Sequence, residues 1–206
     1  MTALVLHYDQ STASICEAAG LLTPSPDLPA GYCQPTMPRD KAAILVSPTF
    51  YKQRKAFYGN YCTVRPLLCR WKSLTADHIN RVMGITSFDN QLYVASFMTL
   101  LRRYQWQAVI PMFTKFIQEV TKLCNIKTQS GPLGQRIALL ESVIAESKVN
   151  KDIAAVSMNI EQAMATELNM IIVDLTDPLL AKDDANGLFQ VVTEQFRSNR
   201  AKRGKL

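Results

Sequence analysis

Beyond residue 47 apolar residues recur every three or four positions, the period of a helix with one buried face. Tyr93, Phe97, Leu100 and Tyr104 mark one such face on a helix begun at Ser87, and Phe113, Phe116, Ile117, Val120, Leu123 and Cys124 mark another begun at Pro111. Gly131-Pro132 and Gly134 are expected to break the chain. Ile137, Leu140 and Ile144 follow, and then Val149, Ile153, Val156, Ile160, Met164, Leu168, Ile171 and Leu175 keep helical spacing for about seven turns. Ser47-Pro48 reads as a helix start closed by Gly59, and Pro66 as a second start. Thr75 caps a short helix ended by Gly84, and a last helix after Asp177-Pro178 carries Leu188, Phe189, Val192 and Phe196. The predicted core includes Phe97, Leu101, Phe116, Val120, Ile153, Ile160 and Leu168.

The N-terminal part reads differently. Residues 3–8 (ALVLHY) and 42–46 (AAILV) suit short strands, and a short helix capped near Ser11 or Thr12 is expected to stop at Gly20. Six of the ten prolines fall between residues 24 and 48, where missing amide donors disfavour regular structure. The expected fold is mainly α: a helical, bundle-like body with an irregular proline-rich arm and one or two short strands. The division is an arm over 1–46, a helical domain over 47–196 and a basic tail over 197–206.

Composition narrows the class. The chain has 206 residues, 48% of them hydrophobic and 19% charged, enough for a buried core and unlike a disordered chain. No window is apolar enough to span a membrane, and the opening residues lack the features of a signal peptide. Five cysteines without a CxxC pair and two distant histidines, His7 and His78, offer no zinc spacing. Free thiols in a reducing, cytoplasmic compartment are expected, with no metal and no cofactor. The sequence holds no GxxxxGK[ST], GxSxG or HExxH, so no catalytic residue and no enzymatic activity are expected. Asp177 reads as a cap before Pro178, and Asp183 and Asp184 as caps of the last helix.

Charge changes the picture most. The net charge is +6, but residues 41–76 hold seven cations and no acid, residues 137–196 hold ten acids against three lysines, and the last ten residues hold five cations. Such asymmetry points to a polyanion or an acidic protein surface. In the segment 50–72, Phe50, Tyr51, Phe57, Tyr58, Tyr61 and Trp71 interleave with cations. On a helix Phe57, Phe50, Tyr58 and Tyr51 share an arc with Arg54 near its middle. Cations contact phosphates, and aromatic or guanidinium planes stack on bases. The candidate nucleic-acid-binding residues are therefore Lys52, Arg54, Lys55, Tyr58, Arg65, Arg70 and Lys72, with Arg197, Arg200, Lys202, Arg203 and Lys205 of the tail. The competing reading makes the aromatics core and the cations a solvated rim. Residues 74–104 have the outline of a helix-turn-helix, but the second helix is too apolar to lie in a groove, so both are read as core helices.

The expected function is non-enzymatic, largely sequence-independent binding of RNA or DNA, as a protein or subunit of a nucleoprotein complex. The alternative is an assembly subunit whose basic segments meet the acidic helices of another copy, as a homo-oligomer, or of a partner.

Overall fold

The computed structural model describes residues 2–23, 29, 36–85, 92–122 and 127–203. Strands β1 (Ala3–His7), β2 (Ala42–Val46), β3 (Thr63–Pro66) and β4 (Met170–Asp174) form one all-parallel sheet in the order β1-β4-β2-β3. Residues Val5, Ile172 and Ile44 lie abreast at its centre. The helices are α1 (Tyr51–Tyr58), α2 (Ala76–Val82), α3 (Leu92–Trp106), α4 (Phe113–Lys122), α5 (Lys127–Val143), α6 (Lys151–Ala154), α7 (Ile160–Ala165) and α8 (Lys182–Arg203). The fold is α/β. The expectation of a mainly α bundle is overturned by the parallel sheet at its core.

The reason lies in β4. A parallel strand covered on both faces does not alternate, and Met170–Asp174 is buried at every position. Its Ile171 therefore fitted the helical spacing of Leu168 and Leu175, although the run Ile-Ile-Val is β-branched and favours a strand. The long helix expected over 149–175 is instead a 3-10 turn at Lys148–Asn150, two short helices and β4. Local chemistry sets those breaks. The Asn150 amide donates to the carbonyls of Glu141, Ser142 and Ile144. Asn159 and Gln162 form a reciprocal cap that starts α7. Glu167, at φ 52°, stands in left-handed backbone just past the end of α7.

Two more expectations fail. Pro66 starts no helix; it ends β3, an edge strand, where a missing amide donor is tolerated. Gly131, Pro132 and Gly134 all lie inside α5. Strands β1 and β2, the helix after Thr75 and the helix reaching the basic C-terminal residues form as expected. The expected helix over 11–20 shrinks to a 3-10 turn at Glu17–Leu21. Ser87, the expected start of α3, and residues 24–28 and 30–35 of the proline-rich arm lie outside the described residues.

The sheet separates two apolar layers. On one face Ala42, Ile44, Val46, Met170 and Ile172 pack against α1 and the turn at Glu17–Leu21. On the other, Ala43, Leu45, Ile171 and Val173 pack against α2, α3, α4, α5, α7 and α8. Of the predicted core residues, Phe97, Leu101, Phe116, Val120, Ile160 and Leu168 are buried and Ile153 is half-buried. The helices of the helix-turn-helix outline supply Ile79, Val82, Met83, Tyr93, Phe97 and Leu100 to this core.

Helices α2 and α8 touch along their lengths. The His78 ring accepts from the Thr75 amide through Nδ1 (3.3 Å), so Nε2 carries the proton donated to Glu194 (3.0 Å). Arg81 joins the same carboxylate at 2.7 Å. Gly187, inside α8, is needed for this approach, because a Cβ there would stand 2.4 Å from the Arg81 carbonyl oxygen. Gly187→Ala is therefore expected to destabilise the fold by about 1–3 kcal/mol. Alanine is the better helix former by about 1 kcal/mol, so a stabilised variant in urea denaturation would contradict this packing.

Candidate nucleic-acid interface

The candidate residues divide into an interior pair and an exposed set. The interior pair is Arg54 and Tyr58, one turn apart on the inner face of α1, each 3% exposed. Both reach Asp174, the last residue of β4, which is 0% exposed. The Tyr58 hydroxyl donates to Asp174 Oδ2 at 2.9 Å and accepts from the Cys16 amide at 3.1 Å. Arg54 Nε lies 3.6 Å from the same carboxylate oxygen. Its two terminal nitrogens donate to the carbonyls of Thr12 (3.4 Å) and Ser14 (2.9 Å). The other Asp174 oxygen accepts from the Thr176 amide. Burial, then the Asp174 charge and hydrogen bond, push the Tyr58 hydroxyl pKa upward. A base could not stack on either side chain.

The position explains the cluster. The chain leaves β2 toward α1 on one face of the sheet and leaves β4 toward α8 on the other. That divergence opens a crevice at the strands' carboxyl ends, where α/β proteins commonly place ligands. Protein side chains occupy it here. Besides the Asp174 cluster, Ser47 donates to Asp177 at 2.6 Å, and Asp177 accepts from the Leu179 amide at 2.8 Å. Asp177 thus caps the turn after Pro178 as expected, while Ser47 spends its hydroxyl on this bond and caps no helix.

The exposed set keeps the charge. Lys52 and Lys55 lie on the outer face of α1, and Lys55 sits 5.6 Å over the Tyr51 ring. Phe57 and Tyr61, at 41% and 43% exposure, are the exposed aromatics of this segment, and Phe50 is half-buried. Arg39, unnoticed in the sequence because it precedes the aromatic run, joins them by donating to the Gly59 carbonyl at 2.8 Å. Arg65 is half-buried in β3, and Arg70 and Lys72 are exposed beyond it. Trp71 between them is core: its Nε1 donates to the Pro111 carbonyl, and its ring packs on Phe113 and Phe116.

Arg197, Arg200 and Lys202 are exposed on α8, which continues through Arg203 as a helix. Lys205 lies outside the described residues. Ser73, the residue after Lys72, lines one groove with Lys202 of α8, together with Glu161 and Glu194. Lys52 and Lys55 stand on the opposite face of the sheet from α8.

Cys16, Cys62 and Cys69 are free and buried. Burial raises all three thiols, Cys62 to about 11 and Cys69 to about 12, so they remain protonated at neutral pH. No group of three or more His, Cys, Asp or Glu side chains suited to a metal occurs among the described residues. Among them, too, no helix is long and apolar enough to cross a membrane. Comparison with family models, curated proteins and solved structures finds no match.

Asp174→Asn leaves the Arg54 charge buried without its counter-ion and is expected to cost about 3–5 kcal/mol in chemical denaturation. Lys52→Gln, on the solvent side of the same helix, should stay within about 0.5 kcal/mol of the parent. Equal effects from the two would mean that Arg54 is held by the Thr12 and Ser14 carbonyls alone.

Proposed function

We propose that this protein is a non-enzymatic nucleic-acid-binding subunit that grips a phosphate backbone through exposed cations and reads charge rather than base sequence. The observation that carries this is how the charges are spent. Among the described residues the ion pairs are Arg54–Asp174, Arg81–Asp77, Arg81–Glu194 and Arg103–Glu119, and His78 hydrogen-bonds Glu194. Lys52, Lys55, Arg70, Lys72, Arg197, Arg200 and Lys202 are all exposed and enter none of them. No carboxylate of residues 137–196 lies within 4 Å of these seven charges. Unpaired surface cations of this number favour a polyanionic partner.

Arg54 and Tyr58 belong to the scaffold, which leaves Phe57 and Tyr61 as the stacking groups available to a single strand. A surface that reads charge serves RNA and DNA alike. The protonated, unpaired thiols favour a reducing compartment, the cytoplasm.

Fluorescence anisotropy with a labelled 20-nucleotide single strand and its duplex, across salt concentrations, tests this reading. Neutralising Lys52, Lys55, Arg70 and Lys72 together to Gln should flatten the log–log salt slope by roughly 3 if all four meet phosphates. Phe57→Ala should weaken single-strand binding by about 1–3 kcal/mol with little change in slope. Absence of binding at ~50 mM salt and micromolar protein would end the proposal, since non-specific binders are visible there.

A further inference from the structure

The corner between α3 and α4 exposes apolar side chains that the fold does not use. Trp106 is 93% exposed and Met112 74%, with Val109 and Ile110 exposed between them. Val109 and Ile110 line an open cavity of about 360 Å³ whose walls also include Trp71, Leu74, Ile79, Tyr104 and Phe116, and Trp106 and Met112 are their near neighbours in sequence. That size falls in the usual range for ligand pockets, about 300–1,000 Å³.

The corner has a defined shape. Helix α3 ends with Val109 N–H donating to the Tyr104 carbonyl (3.2 Å) and Ala108 N–H to the Gln105 carbonyl (3.1 Å). Ala108 occupies the left-handed position at φ 50°, where glycine is usual. The same pair of bonds that ends the helix presents Val109 and Ile110 outward. A fixed, solvent-facing apolar surface beside an apolar cavity is the form of a docking site.

Charge identifies the occupant. Three acids border the corner, and each is engaged: Asp77 with Arg81, Glu119 with Arg103, and Glu146 with the Trp71 amide. Two further cations are not. Arg102 and Lys115, each next in sequence to a cavity-lining residue, are exposed and pair with no acid among the described residues.

We infer that this corner docks an acidic amphipathic helix of a partner protein, whose apolar residues at i, i+4 and i+7 fill the cavity and cover Trp106, Ile110 and Met112. Its carboxylates meet Arg102 and Lys115 beside the cavity. The helix-in-groove mode suits such an apolar cleft with a charged border.

A displayed library of random 16-residue peptides, selected on the whole protein and counter-selected on an Ile110→Asp/Met112→Asp variant, tests this. Both substitutions lie on exposed side chains, and an unchanged melting curve confirms that the variant folds. Enrichment of acidic sequences with helical apolar spacing is expected. These peptides should shift the Trp106 emission to the blue and bind the variant about ten-fold or more weakly. Arg102→Gln/Lys115→Gln should weaken them further and reduce their salt dependence.

No enrichment, enrichment that survives in the variant, or enrichment of non-acidic peptides would overturn the inference. So would a 20-nucleotide single strand that itself shifts Trp106 emission, because the corner would then be a base-stacking platform. Oligonucleotide binding without that shift leaves the backbone-binding surface and the docking corner as separate sites.

Discussion

A carboxylate with no access to water stands at the end of the central strand, and much of the molecule is arranged around it. Asp174 lies in the sheet's interior, where an unpaired charge would be untenable. Arg54 and Tyr58 reach it from α1, and the remaining Arg54 donors hold the carbonyls of Thr12 and Ser14. One charge therefore joins β4, α1 and the segment after β1, elements far apart in the sequence. It also fixes the rotation of α1. With Arg54 and Tyr58 turned inward, Lys52 and Lys55 must face solvent.

Much of the helical half was legible in the residues, because caps and amphipathic faces are local. Thr75 with His78, and the apolar faces of α4 and α8, carry their own signals. The parallel sheet was half legible. The strands ALVLH and AAILV stand out beside polar or proline-rich neighbours, whereas MIIVD sits within a stretch whose spacing also fits a helix. Only its burial on both faces separates the two, and burial depends on elements more than 120 residues upstream.

The candidate site was legible in its charge but not in its chemistry. A helical projection puts Arg54 in the middle of an aromatic arc, which signals either a cation reaching past the arc to solvent or a buried partner. The partner was written in IIVDLTD, where a lone acid ends an apolar strand, but nothing local connects positions 54 and 174. The exposed corner had a signal as well: WQAVIPM joins two helices with apolar residues where polar ones are usual. Net charge directs attention to Lys and Arg, and this stretch has neither.

The central claim is that exposed cations on the outer face of α1, beside β3 and at the end of α8, on both faces of the sheet, meet the polyanion, while Arg54 and Tyr58 are scaffold. Acetylation footprinting of lysines, with and without a 20-nucleotide single strand at low salt and read by mass spectrometry, tests it residue by residue. Lys52, Lys55, Lys72 and Lys202 should be protected, and Lys148, Lys151 and Lys182, equally exposed but set in the acidic stretch, should not. Uniform protection, or protection centred on Lys148 and Lys151, would contradict the account.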